Sequence, residues 1–169
     1  MIKSLIYSLV IALNVNVCIA QITTSGDSTD QKSEFLLGKI SRSSLYHGDF
    51  RNYFMNEYAA YQPDSDLLKK LENVIYDAHI SLIMATWCSD SQIQVPRFFK
   101  MLDLLDYNTN QVDLICVDHN KLAGNLDISL FSIEYVPTFI FFRNGNEVGR
   151  IIESPEISLE KDTYRILSD

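Results

Sequence analysis

Cysteine is scarce in this chain, with three in 169 residues, and positive charge is outweighed, 14 Lys and Arg against 22 Asp and Glu. Three thiols are too few to staple a small fold, so the chain must hold itself together by an apolar core. A formal net charge of -8 argues against nucleic acid or an anionic membrane surface as a partner. The three histidines, His47, His79 and His119, stand singly, and no histidine and cysteine cluster has zinc spacing. No metal and no cofactor is expected. Glycine and proline are also few, six and four, and no internal repeat is visible, so one domain with appendages is the prior for this length.

What is present begins with an apolar run. Lys3 precedes it, Cys18-Ile19-Ala20 closes it on a small residue, and the polar Gln21-Ile22-Thr23-Thr24-Ser25 follows. This is the anatomy of a secretory signal peptide over residues 1–20, with cleavage after Ala20 and a periplasmic or secreted destination. Asn14 and Asn16 interrupt a run already short for a membrane anchor, and Val17 stands before Cys18 where a lipid-attachment site would want a small side chain. After cleavage no membrane span remains and the thiols are Cys88 and Cys116. Residues 21–45, rich in Ser, Thr, Asp and Gln at their start, read as a flexible leader, and residues 46–169 as the folded domain.

Within that domain, Phe50, Tyr53, Phe54, Glu57, Tyr58 and Tyr61 recur at helical spacing, predicting a helix packed on the domain rather than a ligand-binding aromatic strip. Gln62-Pro63 ends it. Asp64-Ser65-Asp66 can accept the free amides of a new helix, and Leu67, Leu68, Leu71, Val74, Ile75 and Ala78 supply its apolar stripe. A strand is predicted over 111–118, a loop and helix over 119–132, and strands over 136–142 and 147–152 joined by Asn144-Gly145, the strongest short hairpin signal. Residues 158–167 close the chain as a helix. Strands alternating with helices, followed by a hairpin, predict an α/β fold: a mixed central sheet with helices on both faces and an extra helix at the N-terminal side.

The stretch with most chemistry is Ser81 to Pro96. A buried run, Leu82 to Ala85, gives way to Thr86-Trp87-Cys88 and then to a polar helix opening. The first amides of a helix lack partners and carry the positive end of its dipole, so a sulfur at that junction is stabilised as the thiolate that attacks disulfides. Asp90, in the same first turn, competes for that field.

At these residues the chain resembles the thioredoxin family, whose signature is Trp-Cys-x-x-Cys at a strand-to-helix turn with a proline eight residues after the first Cys. Trp87, Cys88 and Pro96 match, and Ser91 stands where the second Cys would be. Tyr135-Val136-Pro137-Thr138 through Glu147 is similar to the family's cis-proline strand and hairpin. The resemblance covers about residues 67–167 and implies a three-layer α/β/α sandwich. It implies Cys88 as nucleophile, Trp87, Ser89, Asp90 and Ser91 as the thiolate's surroundings, and Val136 and Pro137, the latter cis and facing Cys88, as substrate-positioning residues. Asp118 matches a position that can accept the indole hydrogen bond, or else is a solvated strand-end acid. Leu82 and Leu114 stand where the family often has a buried acid and a lysine.

Ser91 cannot resolve a mixed disulfide, because a hydroxyl is no nucleophile for sulfur exchange. Release then falls to an external reductant, a second protein, or Cys116, which reads more readily as core packing. The expected function is therefore an exported monothiol thiol–disulfide oxidoreductase acting on disulfide-containing proteins or small thiols. A redox-inactive peptide-binding module on the same fold is the alternative, and thiol peroxidase chemistry ranks below both.

Overall fold

The largely apolar run His79-Ile80-Ser81-Leu82-Ile83-Met84 forms strand β2, the centre of a five-stranded sheet in a computed structural model that covers residues 35–168. Around it the order is β1(Gly38–Lys39), β3(Val112–Cys116), β2(His79–Met84), β4(Thr138–Arg143), β5(Asn146–Ile152). β2 runs parallel to β3, with Leu82 beside Leu114 and Met84 beside Cys116, and antiparallel to β4, with Leu82 beside Phe139. A parallel pair needs a crossover, here supplied by α3(Ser89–Leu104). The β4–β5 turn is Asn144-Gly145 with both φ positive, 51° and 78°, the geometry that matches the twist of a two-residue hairpin.

Side chains on a strand alternate between faces, and the two faces are clothed differently. Ile80, Leu82, Met84, Leu114, Cys116, Phe139, Phe141 and Ile151 share one core cluster with residues of all four helices: α1(Phe50–Ala60), α2(Ser65–Leu71), α3 and α4(Leu159–Ser168). Ile83, Ala85, Ile115, Val117 and Ile140 face the other way, against Ala123, Ile128 and Val136. The mixed α/β sandwich is thus present, but its second outer layer is irregular. Where the pattern over 119–132 predicted a helix, the chain forms turns and one 3-10 turn, Ser129–Phe131. Positive φ at Lys121 (63°), Gly124 (63°) and Ser132 (50°) explains it, since a helix tolerates no left-handed residues.

The N-terminal boundary also differs. The leader was drawn to residue 45, yet Gly38–Lys39 pairs antiparallel with β3, Leu45 is fully buried, and Arg42–Tyr46 forms a 3-10 turn. The remainder of that leader, the cleavage site after Ala20 and the location they imply lie outside the described residues.

α1 is as its aromatic spacing predicts, with Phe50 and Phe54 buried and Tyr58 and Tyr61 packed at the edge of the core; Tyr53 turns outward. Asp64 caps α2, accepting the amides of Asp66 at 2.8 Å and Leu67 at 3.1 Å. That helix ends at Leu71, well short of Ala78, although Ile75 and Ala78 remain buried through the turns that follow. Arg42 clamps the N-terminal segment onto α3: its guanidinium donates two hydrogen bonds to Asp103, at 2.6 and 2.5 Å, and lies 4.7 Å from the Phe99 ring.

Candidate functional site

Strand β2 ends at Met84, and α3 begins five residues later with Cys88 as its N-cap residue, in extended backbone (φ -87°, ψ 126°). The turn is locked by its own polar groups. The Cys88 amide donates to the Ala85 carbonyl at 3.1 Å, the Gln92 amide donates to the Cys88 carbonyl at 3.0 Å, and the Gln92 side chain donates to the Thr86 carbonyl at 2.9 Å. Cys88 makes no side-chain cap hydrogen bond, which leaves its sulfur free for another partner.

The Cys88 thiol donates to the Val136 carbonyl at 3.1 Å. Val136 is buried, the Val136–Pro137 bond is cis as the resemblance implies, and the Thr138 hydroxyl donates to the Tyr135 carbonyl at 2.7 Å. The two motifs, 48 residues apart in sequence, therefore meet at one point. Cys88 is half-buried, Ser89 exposed and Asp90 half-buried.

Ser91, expected among the thiolate's surroundings, has a hydrogen bond to the backbone of the turn. It is fully buried, and its hydroxyl accepts the Ala85 amide at 3.2 Å. Of the two readings of Asp118, that of indole acceptor is not met: the Trp87 indole N–H donates to the Val117 carbonyl at 3.3 Å. The Asp118 carboxylate instead accepts the amides of Asn120 at 2.8 Å and Leu122 at 2.9 Å, closing a tight turn. That turn carries two residues the sequence reading did not assign to the site. The His119 ring stacks on the Trp87 indole with centroids 4.1 Å apart and planes 20° off parallel, and the Lys121 ammonium sits 5.2 Å from the same ring. Asp-x-Asn is a turn signal, but nothing in it points to Trp87.

Cys116 sits on the helix-covered face, buried against Met84 and Leu114, whereas Cys88 packs against the cluster of the opposite face. The sheet lies between the two sulfurs. Burial pushes the Cys116 thiol up to about 12, so it is a neutral core group. Leu82 and Leu114, at the positions of the family's acid and lysine, are both buried and apolar. Beside the site, residues 120–129 and 132–134 line an open cleft of about 640 Å³, and its Ala123 and Ile128 pack in the same cluster as Val136. Among the described residues, no group of three or more His, Cys, Asp or Glu side chains is placed to hold a metal ion, and no helix is long and apolar enough to cross a membrane.

No protein-family model matches the chain. It is similar to thioredoxin H9 of Arabidopsis thaliana, 26% identical over 83 residues that make up 49% of this chain and 55% of that one. It is also similar to thioredoxin H2-1 of Oryza sativa subsp. japonica, 32% identical over 77 residues, 46% of this chain and 51% of that one. The chain is thioredoxin-like. The chain spans about half the length of these curated relatives. Among solved structures, thioredoxin O2 of Arabidopsis thaliana aligns with a TM-score of 0.40 at 19% identity, covering 60% of this chain and 84% of that one. Within this thioredoxin-like chain the mixed sheet, the strand-to-helix turn at Cys88 and the cis proline at 137 form one continuous unit.

Proposed function

We propose that the chain is an exported monothiol thiol–disulfide exchange protein in which Cys88 is the nucleophile. The observation that carries this reading is the Cys88 sulfur, half-buried at the start of α3 and 3.1 Å from the Val136 carbonyl, with Cys116 shut away beyond the sheet. In the step envisaged, the Cys88 thiolate attacks one sulfur of a partner disulfide. A Cys88–partner disulfide forms, the original S–S bond breaks, and the second partner sulfur leaves as a thiolate that takes up a proton from water. An external thiol reduces this adduct, because Ser91 supplies no second sulfur and Cys116 does not reach it. Trp87 and the backbone at Val136 are the surfaces that a partner would meet.

The test is recovery of mixed disulfides from cells that produce the protein, with Cys88→Ala as control and with the N-terminus of the mature chain sequenced. Adducts that depend on Cys88, on a chain beginning at Gln21, are the expected result. If none form in the presence of partner disulfides, Cys88 is not a nucleophile and the fold serves as a peptide-binding module. A chain that retains Met1 would remove the export half of the reading.

A further inference from the structure

We propose that Lys121 is a specificity-determining residue, selecting disulfide partners that carry a carboxylate next to the reactive sulfur. This deepens the reading of Cys88 as an exchanging thiol and rests on it. Lys121 is aimed rather than loose. Its backbone is left-handed, φ 63°, a conformation that a non-glycine residue keeps only where its surroundings enforce it. The enforcement is visible: the Lys121 amide donates to the Asp118 carbonyl at 3.1 Å, the Asp118 amide to the Leu122 carbonyl at 2.9 Å, and the Asp118 carboxylate holds the amides on either side of Lys121. The side chain is half-buried and ends 5.2 Å from the Trp87 ring, the residue beside Cys88.

Of the twelve Lys and Arg side chains among the described residues, seven are already matched. Lys39, Arg42, Lys69, Arg97, Arg143, Arg150 and Arg165 all form ion pairs. Lys121 forms none among the described residues, and the acid in its own turn, Asp118, is committed to backbone amides. The other charges near the site include Asp90, in the first turn of α3, Glu153, whose amide donates to the Pro137 carbonyl at 2.7 Å, and Asp127 and Glu134 along the cleft. Asp127 is held by the Ser129 amide at 2.9 Å. In a chain whose formal net charge is -8, the long-range field repels an anionic partner, so one unpaired ammonium at the rim decides how an acid beside the incoming sulfur is received.

The experiment compares exchange rates of the purified chain with three small disulfides of different charge: anionic 5,5′-dithiobis(2-nitrobenzoate), neutral 2,2′-dithiodipyridine and cationic cystamine. Lys121→Ala should lower the anionic-to-neutral rate ratio about threefold, the scale of one exposed charge contact. Lys121→Glu should lower it about tenfold and raise the cystamine ratio, with both effects shrinking in high salt. Lys121→Arg should keep the wild-type ratios and shows that the turn tolerates substitution. Ratios unchanged by Lys121→Glu overturn the proposal while leaving the thiol reading intact. Failure of Cys88 to react with any of the three overturns both.

Discussion

The thiol of Cys88 and the carbonyl oxygen of Val136 are 3.1 Å apart, a contact between the N-cap of α3 and the residue that leads into β4. The sulfur's hydrogen-bond partner is therefore backbone, supplied by the segment that precedes β4, the strand that pairs directly with β2.

Because Ser91 lies one helical turn beyond Cys88, Ser91→Cys should place a second sulfur where it can close on the first. Oxidation should then remove two hydrogens from the native mass, and adducts trapped on wild-type Cys88 should become short-lived. Ser91→Ala tests the structural half of the same residue. It strips the Ala85 amide of its acceptor in a buried turn, and an unpaired buried donor costs ~1–3 kcal/mol, read as a lower Tm.

Cys116 should resist iodoacetamide in the folded protein and react once urea exposes it, while Cys88 reacts in both states, as peptide mass mapping will report. Its thiol is raised from 9.0 to about 12 by burial. The folded chain therefore holds this proton where the unfolded chain releases it, so the stabilisation is complete below pH 9 and is lost as pH rises through about 12. Between those values stability falls by up to ~1.4 kcal/mol per pH unit from this group alone. Cys116→Ala should flatten that fall. Above pH 10 a fall should remain, because burial also raises the hydroxyls of Tyr107, to about 12, and of Tyr61 and Tyr58, which donate to Glu160 and Asp103.

Asp103 receives two hydrogen bonds from Arg42 and one, at 2.7 Å, from the Tyr58 hydroxyl. Burial works to raise its carboxyl, but those hydrogen bonds hold it below the usual 3.8. The sign follows: its contribution is present above 3.8 and is lost as pH falls through the lowered value. Asp103→Ala should destabilise by ~2–4 kcal/mol, because it leaves the partly buried Arg42 without its counter-charge. Chemical denaturation of the variant checks this, and a drop under 1 kcal/mol would show a screened surface pair instead.

At Gly149, a Cβ would meet Ile166 Cγ2 at 2.8 Å, so β5 and α4 approach as closely as they do because residue 149 has no side chain. Gly149→Ala should lower stability by ~1–3 kcal/mol, as overpacking does, and a second change, Ile166→Ala, should recover part of that loss in a double-mutant cycle.

Much of this architecture was legible locally. The strand-to-helix turn at Cys88, the aromatic face of α1, the Asp64 cap and the Asn144-Gly145 hairpin all follow from periodicity or turn chemistry within a few residues, which is the range over which side chains dictate backbone. The end of α2 and the missing helix over 119–132 were not legible. Apolar residues such as Ile128 and Phe131 bury equally well from a turn, and the left-handed residues that forbid a helix there are not marked by composition.

By itself, then, the sequence determined that a cysteine would head a helix, and that a serine would follow it three residues later. Tertiary structure alone decided the rest: that Cys116 lies across the sheet from Cys88, that Ser91 serves the backbone of Ala85, and that His119 and Lys121 gather on Trp87. The reason is geometric. Strand register sets the face on which a side chain emerges, and register is settled by pairing between segments that are distant in the chain.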